Sequence, residues 1–475
     1  MSDPTSLKTS ARLSFVFFLV MLMGSVYYWE ERMFFADASH IAFSAINEET
    51  LQIQQYRFGA FITQMIPVLG AKLGLPIRAI MMAYSASFHL FYLFVAAIML
   101  FGFKAYRLVV LYALYWCLVT THTFFWPNNE VHQGVAYMFL LFPILIASGE
   151  RQWNFIIPLL SLLVLGTTAA FCHPLVLPPF IFLWVYLIAE KKYWNYNRQQ
   201  TILLSAVLLA ITIAKLYVSK VYSGYDMGLL GGVSNMKPSD IADAFTSPFA
   251  RAVYEHVPVN YTLLPIIAIV GAAALLYKKQ YLLAAWSLGC TIVYFILLCL
   301  TFSSYIEFAS ESALMPVIII ACAPFVFVVL PLVKKEFAFI IVLLIFGVRT
   351  YRFIETSPQF PQRVQELSHI IAKMKKAGIT KLVLVKDPAM LTEWRWMVDW
   401  GMGAESMILE ACIWDKPIRQ IVVVKADELA KRLPANNTDV IGCFKTFPIE
   451  GINMKYFPVD TTRPYTVMNY EDFMN

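Results

Sequence analysis

Long apolar runs recur between residues 13 and 353, separated by short polar gaps. Most approach the roughly 20 residues that a helix needs to cross a hydrocarbon core. They predict about eleven spans, at 13–28, 80–101, 108–125, 131–147, 155–171, 175–189, 202–220, 261–277, 281–302, 313–333 and 337–352. Charge sorts by gap. Lys104 and Arg107, Arg151, Lys191 with Lys192 and Arg198, Lys278 with Lys279, and Lys334 with Lys335 fill every second one. The gaps between them hold Asp37, Glu130 with His132, His173, Asp226, Glu307 and Glu311. By the positive-inside rule the basic gaps are cytoplasmic and the acidic ones face the other side.

One segment tests that assignment. Residues 57–75 are apolar but interrupted by Pro67, Gly70, Lys72 and Gly74. Phe58, Phe61, Ile62, Met65, Ile66, Leu69 and Leu73 recur at helical spacing, so one face is apolar. A span here would invert every later gap and place the basic pairs outside. The segment is therefore expected as an interfacial amphipathic helix on the outer leaflet, inside a first outer loop at 29–79. A second outer loop, 221–260, carries Gly224, Gly228, Gly231, Gly232, Pro238, Asp240 and Asp243. Long loops of this kind tend to be functional.

After residue 353 the pattern changes. The expected organisation is a transmembrane helical bundle at 1–353 and a small soluble α/β domain at 354–475. In the second part, 364–376 and 427–432 read as helices and 381–386, 421–425 and 440–444 as strands. An odd number of spans puts this domain outside the cytoplasm, with the N-terminus inside. Cys412 and Cys443 can then pair in an oxidising compartment. The other cysteines sit in apolar runs as small hydrophobes, and no metal-type cysteine spacing occurs. Asn260-Tyr261-Thr262 and Asn436-Asn437-Thr438 match the N-glycosylation pattern, a short match that arises often by chance.

Composition agrees with a polytopic membrane protein: 59% hydrophobic residues and 14% charged ones. A soluble domain carries roughly 25% charge. The net charge of +6 reflects the basic gaps and points to topology, not to nucleic acid. The first run ends in bulky Tyr27, Tyr28 and Trp29 without a small-residue cleavage site, so it is expected as an uncleaved first span.

Candidate chemistry collects on the acidic side. Asp37 lies among aromatic residues in Phe34-Phe35-Ala36-Asp37-Ala38-Ser39-His40, where a carboxyl can be tuned into a base. Its plain alternative is a solvated acid or helix cap. Glu130 and His132 follow the turn residues Pro127, Asn128 and Asn129, and can bind a metal, a phosphate or a shared proton. Two residues apart on a regular helix they would not share a face. His173 precedes Pro174 at a span boundary, and Arg57 opens the amphipathic segment, where it can meet lipid phosphate. Glu307 and Glu311 share a helical face and can be merely solvated. Phosphate loops, nucleophile elbows and zinc signatures are absent from the sequence, which argues against ATP-driven transport and common hydrolases.

These residues carry a resemblance. Asp37 after the first span, Gln55-Tyr56-Arg57-Phe58, Gln64-Met65-Ile66-Pro67-Val68-Leu69, Phe125-Trp126-Pro127-Asn128-Asn129-Glu130, Cys172-His173-Pro174 and Trp400-Gly401-Met402-Gly403-Ala404-Glu405-Ser406 together resemble the GT-C superfamily of membrane glycosyltransferases, in its uncharacterised bacterial branch. The resemblance implies an enzyme of the inner membrane. It would take sugar from a polyprenyl-phosphate-linked donor among membrane lipids and pass it to an acceptor on the extracytoplasmic face. Asp37 would be the base and Glu130 a second acid or part of a divalent-cation site. Arg57, His132 or His173 would stabilise the leaving phosphate, with His40 a further phosphate-binding candidate. The chain departs from many members in having a single acid at Asp37 and no recognisable acceptor motif after residue 353. The rival expectations are a transporter or lipid flippase, which needs polar residues at mid-membrane, and an inactive assembly subunit of the same fold.

Overall fold

The computed structural model describes residues 7–226, 237–302, 304, 306–386, 398–413, 416–433, 436 and 438–474. Gly228, Gly231, Gly232 and Asn437 lie outside the described residues. The chain is mainly helical, and among the described residues the strands lie after residue 380.

Among the described residues, seven helical stretches are long and apolar enough to cross a membrane, or eight if a pair bent by 90° counts as one span. They are α1 (Lys8–Tyr27), Ile77–Phe103 beginning with α5 (Ile77–Ala97), α7 (Glu130–Glu150), α10 (Arg198–Tyr222), α14 (Tyr281–Thr301), Phe308–Leu332 beginning in α15 (Glu307–Pro324), and Lys335–Ala377. The last comprises α16 (Lys335–Thr356) and α17 (Gln359–Ala377). The bent pair joins Asp240–Asn260, from α11 (Pro238–Ala244) through α12 (Pro248–Asn260), to α13 (Leu263–Tyr277).

The count of eleven is therefore corrected. Three expected spans are the shorter helices α6 (Tyr106–Cys117), α8 (Ile156–Ala170) and α9 (Leu177–Ala189). At 1.5 Å per residue, the 12 residues of α6 reach only about 18 Å, against a hydrocarbon core of about 30 Å. Helices α6 and α9 bury their apolar side chains inside the bundle, which satisfies them as well as lipid does, whereas α8 leaves Ile156, Leu160 and Val164 exposed. The stretch Phe308–Leu332 shows which helix is central, with 94% of its apolar window buried in protein.

Between α1 and α5 lie α2 (Trp29–Met33), α3 (Ala36–Glu48) and α4 (Phe61–Lys72). The expected amphipathic helix is a 3-10 turn, Phe58–Ala60, followed by α4. Its outward face is the apolar one: Phe58, Phe61, Met65, Leu69 and Leu73 are exposed, while Thr63 and Gln64 are buried. That polarity suits contact with lipid.

Past α17, which stops at the left-handed Gly378, β1 (Lys381–Val385) leads through α18 (Met402–Ile413) to β2 (Gln420–Val424). With β5 (Thr466–Asn469) they form a parallel sheet ordered β2-β1-β5, and β3 (Val440–Ile441) pairs antiparallel with β4 (Thr446–Phe447). Strands β1 and β2 lie within one residue of the expected ends, β3 stops at Ile441 where a strand to 444 is expected, and β4 and β5 have no counterpart in the sequence pattern. Cys412 and Cys443 are both free thiols. The apolar core runs without a break from the bundle into this region. A second cluster, Phe35, Ala36, Phe124, Phe125, Phe308, Phe360 and Val398, packs where the two meet.

Candidate functional site

Asp37 sits in the first turn of α3. The chain enters that helix through Ala36, whose φ of 44° is a left-handed value that costs a non-glycine residue about 1 kcal/mol or more. The Asp37 Oδ2 accepts from the Trp126 indole N–H at 3.1 Å, and the Asn128 amide donates to the Asp37 carbonyl at 3.2 Å. Tyr84 in turn donates its hydroxyl to Asn128 Oδ1. The motif 125–130 thus folds against Asp37, which is half-buried. Burial, reinforced by the neighbouring Glu130 charge, pushes its carboxyl up to about 6, although Trp126, Trp400 and Arg57 favour the ionised form.

Glu130 belongs to a chain of four charges. Arg57 donates to Glu130 at 2.9 Å and to Asp226 at 2.7 Å. Asp226 also faces Lys215 Nζ and Ser219 Oγ, each at 3.4 Å. The Tyr225 ring lies 5.7 Å from the Arg57 guanidinium carbon, and Ser223 bridges the Asp226 N–H to Gln55. Burial opposes the Arg57 charge, but Glu130 and Asp226 hold it above its ordinary value. Two cations match two carboxylates here, and among the described residues Asp37 has no counter-ion in direct contact. Arg57 is consequently not a surface residue on lipid headgroups: it is buried and its fork is occupied.

His173 caps a 3-10 turn, its Nδ1 accepting the Leu175 N–H at 3.1 Å. Burial, then the charges of Arg57 and Lys215, hold it well below its usual range, so it is neutral. With Nδ1 accepting, the proton resides on Nε2. A cavity of about 100 Å³ opens beside these groups. Asn129, His173 and Asp226 supply polar lining, and Leu297, Phe302 and Ala313 supply apolar walls. Trp126 lines it as well, so one indole serves both Asp37 and the cavity.

Two expected members are elsewhere. His132 lies in regular α7 and turns to α6, where its Nδ1 meets the Tyr115 hydroxyl at 2.8 Å and its ring lies 4.8 Å from Trp116. Helical periodicity keeps it off the Glu130 face. His40 packs edge-on against Phe444 at 5.1 Å, and burial together with Lys445 pushes it down to about 4. The divalent-cation site is also corrected: among the described residues no group of three or more His, Cys, Asp or Glu can hold a metal. Glu130 is neutralised by Arg57 instead.

Asp226 and Lys215 are the additions, and the sequence carried a signal for one of them. A lysine within an apolar run is costly unless paired, so Lys215 asked for an acid. Glu311 is not solvated. It is fully buried and accepts from the Thr121 and Thr123 N–H groups at 3.1 and 2.8 Å and from the Tyr261 hydroxyl at 2.5 Å. It thereby anchors the loop that delivers Trp126. Compared with known proteins, the chain matches no family model, no curated sequence and no solved structure.

Proposed function

We propose that the chain is an integral-membrane glycosyltransferase of GT-C type. It would move a sugar from a polyprenyl-phosphate-linked donor to an acceptor on the extracytoplasmic face, with the N-terminus in the cytoplasm and the C-terminal α/β region outside. The observation that carries this reading is Asp37, a carboxyl pushed up to about 6 by burial and the Glu130 charge, which the Trp126 indole links to a neighbouring cavity with polar and apolar walls. A base with a pKa near working pH is ionised yet still takes a proton readily. Asp37 would deprotonate the acceptor hydroxyl as it attacks the sugar. The Nε2–H of His173, which lines the cavity, would face the negative charge that gathers on the leaving phosphate, with Arg57 offsetting the carboxylates of Glu130 and Asp226 behind it. The apolar walls of Leu297 and Phe302 would suit the isoprenoid tail.

The test is donor turnover by purified protein in nanodiscs. Short-chain polyprenyl-phosphate sugars carrying hexose, pentose or amino-sugar groups would be supplied with candidate lipid, glycan and peptide acceptors. Wild type should release polyprenyl phosphate, and D37N should be slower by about a hundredfold or more, the usual worth of a positioned base. Equal turnover by D37N, or none by wild type across the panel, would sink the reading; the second result leaves an inactive assembly subunit.

A further inference from the structure

Ala36 adopts a left-handed conformation without being glycine, and its N–H is one of those that a helix start leaves without an intrahelical partner. That N–H donates to Glu405 Oε1 at 2.8 Å, across 369 residues of sequence. Glu405 is fully buried on α18. Arg363 of α17 meets both its oxygens, at 3.0 and 2.9 Å, and also donates to the Val398 carbonyl at 2.6 Å. The Arg363 guanidinium carbon lies 5.4 Å from the Phe35 ring centre. Gly401 closes the arrangement. A Cβ there would stand 2.7 Å from Ala36 Cα and would also strike Glu405. Two segments distant in sequence, α17 and residues 398–405, thus converge on the turn just before Asp37.

We propose that Glu405 is a positioning residue: through the Ala36 N–H it holds the turn that presents Asp37 to Trp126, and so makes the site depend on the C-terminal region. A water can satisfy an exposed helix-start N–H, so satisfaction alone does not require a buried ion pair. The ion pair is needed because the turn is strained. With the N–H released, Ala36 relaxes toward an ordinary conformation and carries the Asp37 carboxylate off the indole. The activity readout rests on the glycosyltransferase reading; the titration readout does not.

The experiment uses full-length protein in detergent and compares E405Q, E405A and the double variant E405A/A36G. The first readout is the pH at which the stability gained by D37N levels off in each background, which marks the midpoint of the Asp37 titration in the folded chain. Gln keeps an oxygen for Ala36, so E405Q should keep the midpoint near its native value. In E405A the midpoint should fall by about one unit or more, as the carboxyl gains water. A36G makes the left-handed turn inexpensive and should restore part of the fall. An unchanged midpoint in E405A, or no recovery with A36G, overturns the proposal. The second readout is donor turnover. E405A should lose about tenfold or more in kcat and E405Q clearly less, because misplacing a reacting group by about an ångström has a large effect. If D37N leaves turnover unchanged, the enzymatic reading fails while the midpoint still judges Glu405. Should E405A not fold, G401A replaces it, since its methyl group pushes the same turn from the other side, and the same fall in midpoint is expected or the proposal is lost.

Discussion

Replacing Asp37 with asparagine should stabilise the protein, and more so as pH rises. The carboxyl is raised from 3.8 to about 6 in the folded chain, so the folded state prefers the protonated form. Stability is therefore lost as pH climbs from the unfolded value through the folded one, and the loss is complete above both. Asparagine removes the charge and keeps an oxygen that can accept from the Trp126 indole. With about 1.4 kcal/mol per pKa unit, D37N should gain about 1 kcal/mol at roughly pH 4.5 and about 3 kcal/mol at roughly pH 7.5. Unfolding entropy scales with length, so at 475 residues each kcal/mol shifts Tm by about 1 °C. The expected difference between the two pH values is then about 2 °C. Thermal unfolding of both proteins in one detergent, followed by intrinsic fluorescence, measures it. A stability gap independent of pH, or a wild type that gains on D37N toward neutral pH, would refute the claim that this carboxyl is held near neutrality by burial and Glu130.

Two more outcomes follow from the charge chain. R57A leaves Glu130 and Asp226 without their shared cation and should cost roughly 3–5 kcal/mol in denaturant unfolding, whereas R57K keeps the charge, loses the two-armed geometry and should fall between. K215M and D226N should each destabilise, yet the double variant should lose clearly less than their sum, because the second change removes an already orphaned partner. A double-mutant cycle should show coupling of about 1 kcal/mol or more, and additive losses would mean that the 3.4 Å contact is energetically idle.

The sequence by itself determined the material of this protein and some of its chemistry. Apolar runs have to leave water, so a membrane bundle was legible, as were the apolar face of residues 58–73 and the change of character after residue 353. Asp37, Arg57, Glu130 and His173 could be singled out because charge and imidazole stand out in an apolar chain. The same periodicity could not say what covers an apolar helix. The runs 108–125 and 313–333 look alike as sequence, and only the structure decided that the helix of the first ends at Cys117 after 12 residues while the second runs buried through the centre. Nor could it pair charges. Lys215 called for an acid, but the choice of Asp226, with Arg57 bridging to Glu130, depends on where α10, α7 and the turn before α4 meet. His132 left the site because α7 is regular at that point. The reach from Glu405 to Ala36 lay beyond any local pattern: one hydrogen bond between residues 369 apart exists only once the C-terminal region has packed on the bundle. Local pattern acts through the few residues of a helical turn or a strand pair, while a site such as this is assembled by contacts that the chain makes after it has folded.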